Sequence, residues 1–315
     1  MAVLKRIFLW LYVAILVISA SFFGYYFYFK TSFISELKEG SKVINTALGP
    51  VEYALVGATE GPVILYIHGT PGGYDRALTL GNRYRFLVPS RPGYLRTPLS
   101  SGETPEAQAK LYKALLDKLD INSVIVWGSS GGGPSAIEFA TRYPETTKGM
   151  ISLQALSSSW ENRPPGAESL TEQSDLEVWF LIKLFEFMGD EAIVEFFLPN
   201  PKNQNMVLSD QEELENLKKL FWSIWPISLR KEGYDNDFEN YWDLSLPLDK
   251  LDIPILAIHG TEDINVNIRH SEELVKSAKD ARLHVVNGGD HSMPFSHDEE
   301  IDKVVDDFIT EIMTN

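Results

Sequence analysis

Across 315 residues, 44 Asp and Glu oppose 28 Lys and Arg, for a formal net charge of −16. A phosphate backbone selects basic surfaces, so this balance argues against nucleic acid as a partner and offers no long-range steering of anionic substrates; its plainer role is solubility. The absence of cysteine excludes disulfides, thiolate zinc sites and a cysteine nucleophile, while 44% hydrophobic residues suit a packed globular protein.

Ile7 to Phe29 runs 23 residues without a charge. About 20 helical residues cross the hydrocarbon core of a bilayer. Trp10, Tyr12, Tyr25, Tyr26 and Tyr28 lie near the ends of the run, where amphipathic rings favour the interface. Residues 1–30 are therefore expected to be a single-pass membrane anchor. Ser19-Ala20-Ser21 offers the small residues of a signal-peptide cleavage site, but Phe22 to Phe29 stays apolar beyond it. Lys5 and Arg6 precede the run and Lys30, Lys38 and Lys42 follow it; the orientation expected is a cytoplasmic N-terminus with the bulk of the chain outside the cytoplasm.

From Ser41 onwards, short β-type runs alternate with helical patterns. Lys42–Thr46 and Val51–Val56 predict a hairpin turning at Gly49-Pro50. Val63–Ile67, Arg85–Val88, Ser123–Trp127, Gly149–Leu153, Ile255–Ile258 and Leu283–Val286 read as strands, several of them continuous apolar runs of the kind buried on both faces. Pro105–Leu119, Pro134–Tyr143, Ser271–Ala278 and Glu299–Met313 read as helices. Such alternation implies right-handed crossovers, hence an α/β fold with a mostly parallel central sheet flanked by helices. Its sites gather at the carboxyl ends of the strands. The core is expected at 41–156 and 249–315. Between them, 157–248 is too long for a loop. It is rich in aromatics such as Trp160, Trp179, Phe196 and Trp225, with helices expected at Asp175–Met188 and Asp210–Trp225. The segment reads as a helical cap over the sheet's carboxyl edge. Its aromatics suit helix core first and a pocket lining second.

Gly128-Ser129-Ser130-Gly131-Gly132 matches G-x-S-x-G between an expected strand and an expected helix. A bare pentapeptide of this kind is often only a Gly/Ser loop; the flanks make it a nucleophile elbow with Ser130 at its tip. A serine hydroxyl needs a base. Of six histidines, His291 in Asn287-Gly288-Gly289-Asp290-His291 follows the last strand, as that base should. His68 and His259 end strands and are expected to shape turns, His284 lies in a strand and His297 at a helix start. An acid must orient the base. Asp263 leaves the preceding strand's carboxyl end, with Glu262 as the adjacent competitor, and the order Ser130, Asp263, His291 fits the elbow's usual order. Acyl transfer also needs oxyanion donors. Gly131 N–H is one; in His68-Gly69-Thr70-Pro71 the proline has no N–H, leaving Thr70, which is favoured, or Gly69.

The segments HGTPGG (68–73), SRPGYLRT (90–97), WGSSGGGPS (127–135), HGTED (259–263) and GGDHS (288–292) resemble the α/β-hydrolase superfamily, from about Val51 onwards and with 157–248 matching its cap. The likeness is greatest to bacterial serine hydrolases of the prolyl-iminopeptidase and esterase-like branch. By that resemblance the first loop forms the oxyanion hole, with His68 and Gly69 in it. The Arg-Pro-Gly-Tyr loop borders the site, making Arg91, Gly93 and Tyr94 structural or site-edge residues. The resemblance implies a serine hydrolase cleaving an ester or amide of a small molecule or short peptide. An aminopeptidase and a catalytically silent receptor or scaffold are the alternatives. Thr70 replaces a glycine and Gly131 a tryptophan of the peptidase pattern, which weakens the peptidase reading. Ser130 stands where dehalogenases and epoxide hydrolases of the superfamily carry aspartate. Glu161, Glu168, Glu172, Asp175 and Glu177 suit a solvated face, or a grip on a substrate amino group. With no P-loop or zincin motif, neither nucleotide nor metal is expected, and no cofactor. The oligomeric state is left open.

Overall fold

A computed structural model describes residues 2–161 and 167–314. It divides into two compact units, Met1–Gly40 and Ser41–Asn315. The first is one helix, α1 (Ala2–Glu39), long and apolar enough to cross a membrane, with Phe8, Trp10 and Ile18 exposed. It continues past Phe29 because Thr31 to Glu39 contains no Pro or Gly and carries i,i+4 bonds from Ser32 to Glu36 and Ser35 to Glu39.

The second unit is built on eight strands: β1 (Lys42–Thr46), β2 (Gly49–Gly57), β3 (Val63–Ile67), β4 (Arg85–Pro89), β5 (Val124–Ser129), β6 (Thr147–Leu153), β7 (Ile255–Gly260) and β8 (Ala281–Val286). Their order is β1-β2-β4-β3-β5-β6-β7-β8; β2 is antiparallel to both neighbours and every other pair is parallel. The expected runs coincide with these strands to within two residues. One expectation is corrected. The first hairpin turns at Ala47-Leu48, not at Gly49-Pro50, which pair with Thr46 and Asn45 as the opening of β2. Thr46 closes the tighter turn: its Oγ1 donates to the Gly49 carbonyl and accepts from the Leu48 N–H.

Helices α2 (Pro105–Lys118) and α3 (Gly133–Arg142) follow β4 and β5. The interruption forms α4 (Asp175–Met188), α5 (Asp190–Phe197), α6 (Pro201–Ser209), α7 (Gln211–Trp222) and α8 (Lys231–Asn240). Helix α7 stops short of the expected Trp225. Helices α9 (Arg269–Ser277), α10 (Met293–Ser296) and α11 (Asp298–Thr314) complete the chain. Alternate residues of each buried strand serve opposite cores. Val63, Leu65 and Ile67 pack with Leu111, Leu115 and Phe139 of α2 and α3, and with Leu274 of α9. Ile64 and Tyr66 pack with Ile301, Val305 and Phe308 of α11. That two-sided burial is why the strands read as continuous apolar runs. It also leaves the carboxyl ends of β3, β5, β7 and β8 as the place where polar loops converge.

Candidate active site

Ser130 follows β5 directly, in a short turn before α3, with φ at +50°. A non-glycine residue in the left-handed region is strained, and an elbow uses that strain to expose its hydroxyl. The first loop comes so close that a Cβ on Gly69 would lie 2.9 Å from Ser130 Cβ. His291, on the loop after β8, places Nε2 3.1 Å from Ser130 Oγ. Its Nδ1 lies 2.7 Å from Oδ2 of Asp263, on the loop after β7. Asp263 Oδ1 accepts from the N–H groups of Asn265 and Val266, at 2.8 and 2.9 Å. Its Oδ2 also accepts from Gln154 Nε2 at 3.0 Å.

The electrostatics follow from this contact. Burial works against an imidazolium at His291, but the Asp263 carboxylate outweighs it and holds the imidazole above its ordinary pKa. Burial would raise Asp263, yet His291 and the Val266 N–H keep it below the usual carboxylate value. Glu262 is exposed and bonds Asn200 instead. Asp290 accepts from Asn203 of α6 and from the Ser292 N–H, so it braces the His291 loop.

Thr70 and Gly131 face each other: a Cβ on Gly131 would lie 2.3 Å from Thr70 Oγ1 and 3.4 Å from Thr70 N. No side chain fits at 131 beside this threonine, so the two departures from the peptidase pattern are one packing event. Thr70 Oγ1 is fixed from behind. It accepts from Arg91 Nη2 at 2.9 Å and donates to Asp237 of α8. Asp237 also accepts from Arg91 Nη1 at 2.9 Å and Tyr94 hydroxyl at 2.6 Å. Tyr241 donates to the Gly131 carbonyl at 2.7 Å.

A cavity of about 1030 Å³ opens over Ser130, with Gly69, Thr70 and His291 in its wall and Phe196, Phe197 and Leu220 contributed from α5 and α7. His68, Arg91 and Tyr94 are not in that wall; all three are fully buried behind the first loop. His68 bonds the Gly69 carbonyl through Nδ1 and accepts the Arg91 N–H at Nε2; burial, reinforced by Arg91, pushes its pKa well below normal. His259 bonds Ser271 and the Val266 carbonyl. Trp160, Trp179, Trp225 and Phe221 are buried among the helices, while Phe196 and Phe197 reach the cavity. Of the acids considered for an amino group, Glu161 pairs with Arg269, Asp175 bonds Ser228, Glu177 completes the capping box of α4 and Glu172 is exposed. None of these four lines the cavity; the side chain of Glu168 lies outside the described residues.

The alpha/beta hydrolase fold family matches residues 62–298, most of the chain. The chain is an α/β hydrolase. The hydrolase is 27% identical over 274 residues to an uncharacterized hydrolase, YcgS, of Bacillus subtilis, covering 81% of this chain and 93% of that protein. It is 26% identical over 269 residues to a 2-hydroxy-6-oxo-6-phenylhexa-2,4-dienoate hydrolase of Burkholderia cepacia, covering 80% and 89%. Among solved structures, an alpha/beta hydrolase fold protein from Nakamurella multipartita superposes with a TM-score of 0.78 at 29% identity, covering 85% and 98%.

Sequence reasoning missed three groups around the site of this hydrolase. Gln154 directly follows β6 and has φ at +46°, so a polar residue at a strand's carboxyl end was the available signal. Asp237 and Tyr241 lie at the end of the interruption, where no periodicity or motif marks them. Arg76 stands three residues beyond the Gly72-Gly73 turn and lines the cavity.

Proposed function

We propose that this hydrolase cleaves an ester or amide of a small substrate through a covalent acyl-Ser130 intermediate. The reading is carried by one observation, the continuous hydrogen-bonded path from Ser130 Oγ through His291 to Asp263. Ser130 Oγ attacks the scissile carbonyl carbon while His291 Nε2 takes its proton. The N–H groups of Thr70 and Gly131 receive the oxyanion; one such donor is worth about 10²–10³ in rate. The leaving alcohol or amine departs with the proton from His291. Water then attacks the acyl carbon, with His291 again as base, and releases a carboxylic acid and free Ser130. Asp263 stays ionised throughout and holds the imidazole in the tautomer that presents Nε2 to the serine.

The acids considered from sequence lend the aminopeptidase reading no support: none of the four described ones lines the cavity, whose carboxylates are instead Glu212, Glu213, Asp298 and Asp302. Helices α4–α8 act as the cap that shapes substrate access. Helix α1 is the tether to a membrane, with the catalytic unit outside the cytoplasm.

A fluorophosphonate probe tests the reading. Intact protein is expected to label, Ser130→Ala is not, and p-nitrophenyl esters are expected to turn over faster than aminoacyl-naphthylamides. Equal labelling of both proteins, or of neither, would refute the acyl-serine chemistry. The tether is checked by fractionation, with the protein expected in the membrane pellet and released by detergent but not by salt.

A further inference from the structure

Four arginines lie in or behind the Ser130 cavity, and three of them are neutralised. Arg83, in the wall, pairs with Asp302 and Asp306. Arg91 pairs with Asp237 and Arg230 with Asp75, both pairs almost wholly buried. Arg76 differs. It stands on the helical turn Tyr74–Thr79 that follows the oxyanion loop, and it lines the cavity together with Ser130, Thr70 and His291. Among the described residues its guanidinium makes one hydrogen bond, from Nη2 to the Pro71 carbonyl at 2.9 Å, and no ion pair. Its Nε is buried with no partner among the described residues. The nearest carboxylate in sequence, Asp75, is turned away, with both oxygens engaged by Arg230.

Tyr66 and Trp127 line the same cavity. Trp127 has a buried Nε1 with no partner among the described residues, and the ring of Tyr66 lies 6.0 Å from the Trp127 ring. Arg76 is close enough for its charge to be felt at both Tyr66 and His291. A guanidinium cannot shed its proton under ordinary conditions. A withdrawn cation with spare donors therefore needs an anionic partner, and here the open side is the cavity itself. A carboxylate matches the guanidinium fork and can accept two bonds at once.

We propose that Arg76 anchors an anionic subsite, so that the substrate cleaved at Ser130 carries a carboxylate a few bonds from the scissile carbonyl. This rests on the acyl-serine reading above and narrows its substrate class. The net charge of −16 supplies no steering for such a substrate, and Glu212, Glu213 and Asp298 share the cavity wall, so selection acts after entry, at the Arg76 guanidinium.

The test compares two esters of equal chain length on the detergent-solubilised full chain, mono-p-nitrophenyl glutarate and p-nitrophenyl pentanoate. The wild-type protein is expected to favour the glutarate ester in kcat/KM by about tenfold or more, the worth of one charge-assisted bond. Arg76→Gln should lose that advantage, mainly through a raised KM for the glutarate ester, and Arg76→Lys should recover part of it. Free glutarate should inhibit pentanoate hydrolysis competitively, which decides the matter should the Gln variant fail to fold. Equal use of both esters by the wild type, no inhibition by glutarate, or parallel loss on both esters in Arg76→Gln would overturn the subsite; the last would leave Arg76 as a support for the Pro71 loop. Fluorophosphonate labelling without glutarate-ester turnover overturns the subsite alone. Neither labelling nor turnover refutes the acyl-serine reading, and the subsite with it.

Discussion

Asp263 accepts bonds from two backbone N–H groups, Gln154 and His291, and its side chain is fully buried. Its charge therefore has one strong use, the imidazolium of His291. Because His291 sits above its ordinary pKa, the neutral base is lost as pH falls through a value above 6.5. The kcat/KM profile should accordingly rise with pH through an apparent pKa above 6.5. Asp263→Asn removes the charge that opposes burial, so this limb should move downward while kcat drops by about 10⁴. A pH–rate profile of both proteins checks the pair of effects; an unmoved limb would mean the carboxylate does not face the base. Ser130, Asp263 and His291 were legible because each follows a recognisable strand at its carboxyl end. Gln154 obeys the same rule but carries no chemistry of its own, and nothing in Leu153-Gln154-Ala155 announces its two bonds, to Asp263 and to the Asp290 carbonyl.

At the level of elements, the buried Arg91–Asp237 ion pair ties α8 to the core. Arg91 and Asp237 have side-chain exposures of 0% and 1%, and the pair also holds Thr70. Removing one partner strands the other without water. Asp237→Ala should therefore cost about 3–5 kcal/mol of stability and displace the oxyanion loop. The double variant Arg91→Met with Asp237→Leu should recover much of that loss, since no charge is left uncompensated. Urea melts of the three proteins measure both quantities; a double variant as unstable as the single would deny the stranded-charge account. The β-strands and their helices were legible because burial on both faces writes a continuous apolar run. The cap was legible only as a helical insertion. Its docking depends on Asp237, Tyr241 and Asn203, polar residues whose partners lie far away in the chain, and no local pattern encodes such pairings. The hairpin differs for the opposite reason: Gly49-Pro50 is a strong local turn signal, but the Thr46 hydroxyl closes the turn two residues earlier.

Across the whole molecule, the buried histidines set the response to acid. Burial, reinforced by Arg269, pushes His270 down to about 4. Burial likewise depresses His259, and depresses His68 further with the help of Arg91. Each is neutral in the native state and is held there by bonds that a second proton would break, such as the Arg91 N–H to His68 Nε2. In the unfolded chain the same groups bind protons near pH 6.5. Stability is therefore full above pH 6.5 and is lost as pH falls from there towards the native values, because the unfolded state then binds more protons. His270 alone corresponds to about 3 kcal/mol by pH 4. Glu213 acts in the other direction. Burial and then Asp298 push it up to about 7, so the native state gains its proton first and stability is returned between pH 7 and 4.5. That carboxyl is only half-buried, so solvent screens its contribution. His291, held above its ordinary value, likewise adds stability as pH falls towards 6.5 and gives no further slope below it. Below pH 6.5 the three depressed histidines outweigh Glu213, and the urea midpoint should fall steadily from its value near neutral pH. His270→Gln should lower the midpoint near neutral pH through its lost bond to the Ser157 N–H, yet flatten the acid slope. A midpoint that rises on acidification below pH 6.5, or a variant with the parent slope, would show that the acid response belongs to other groups.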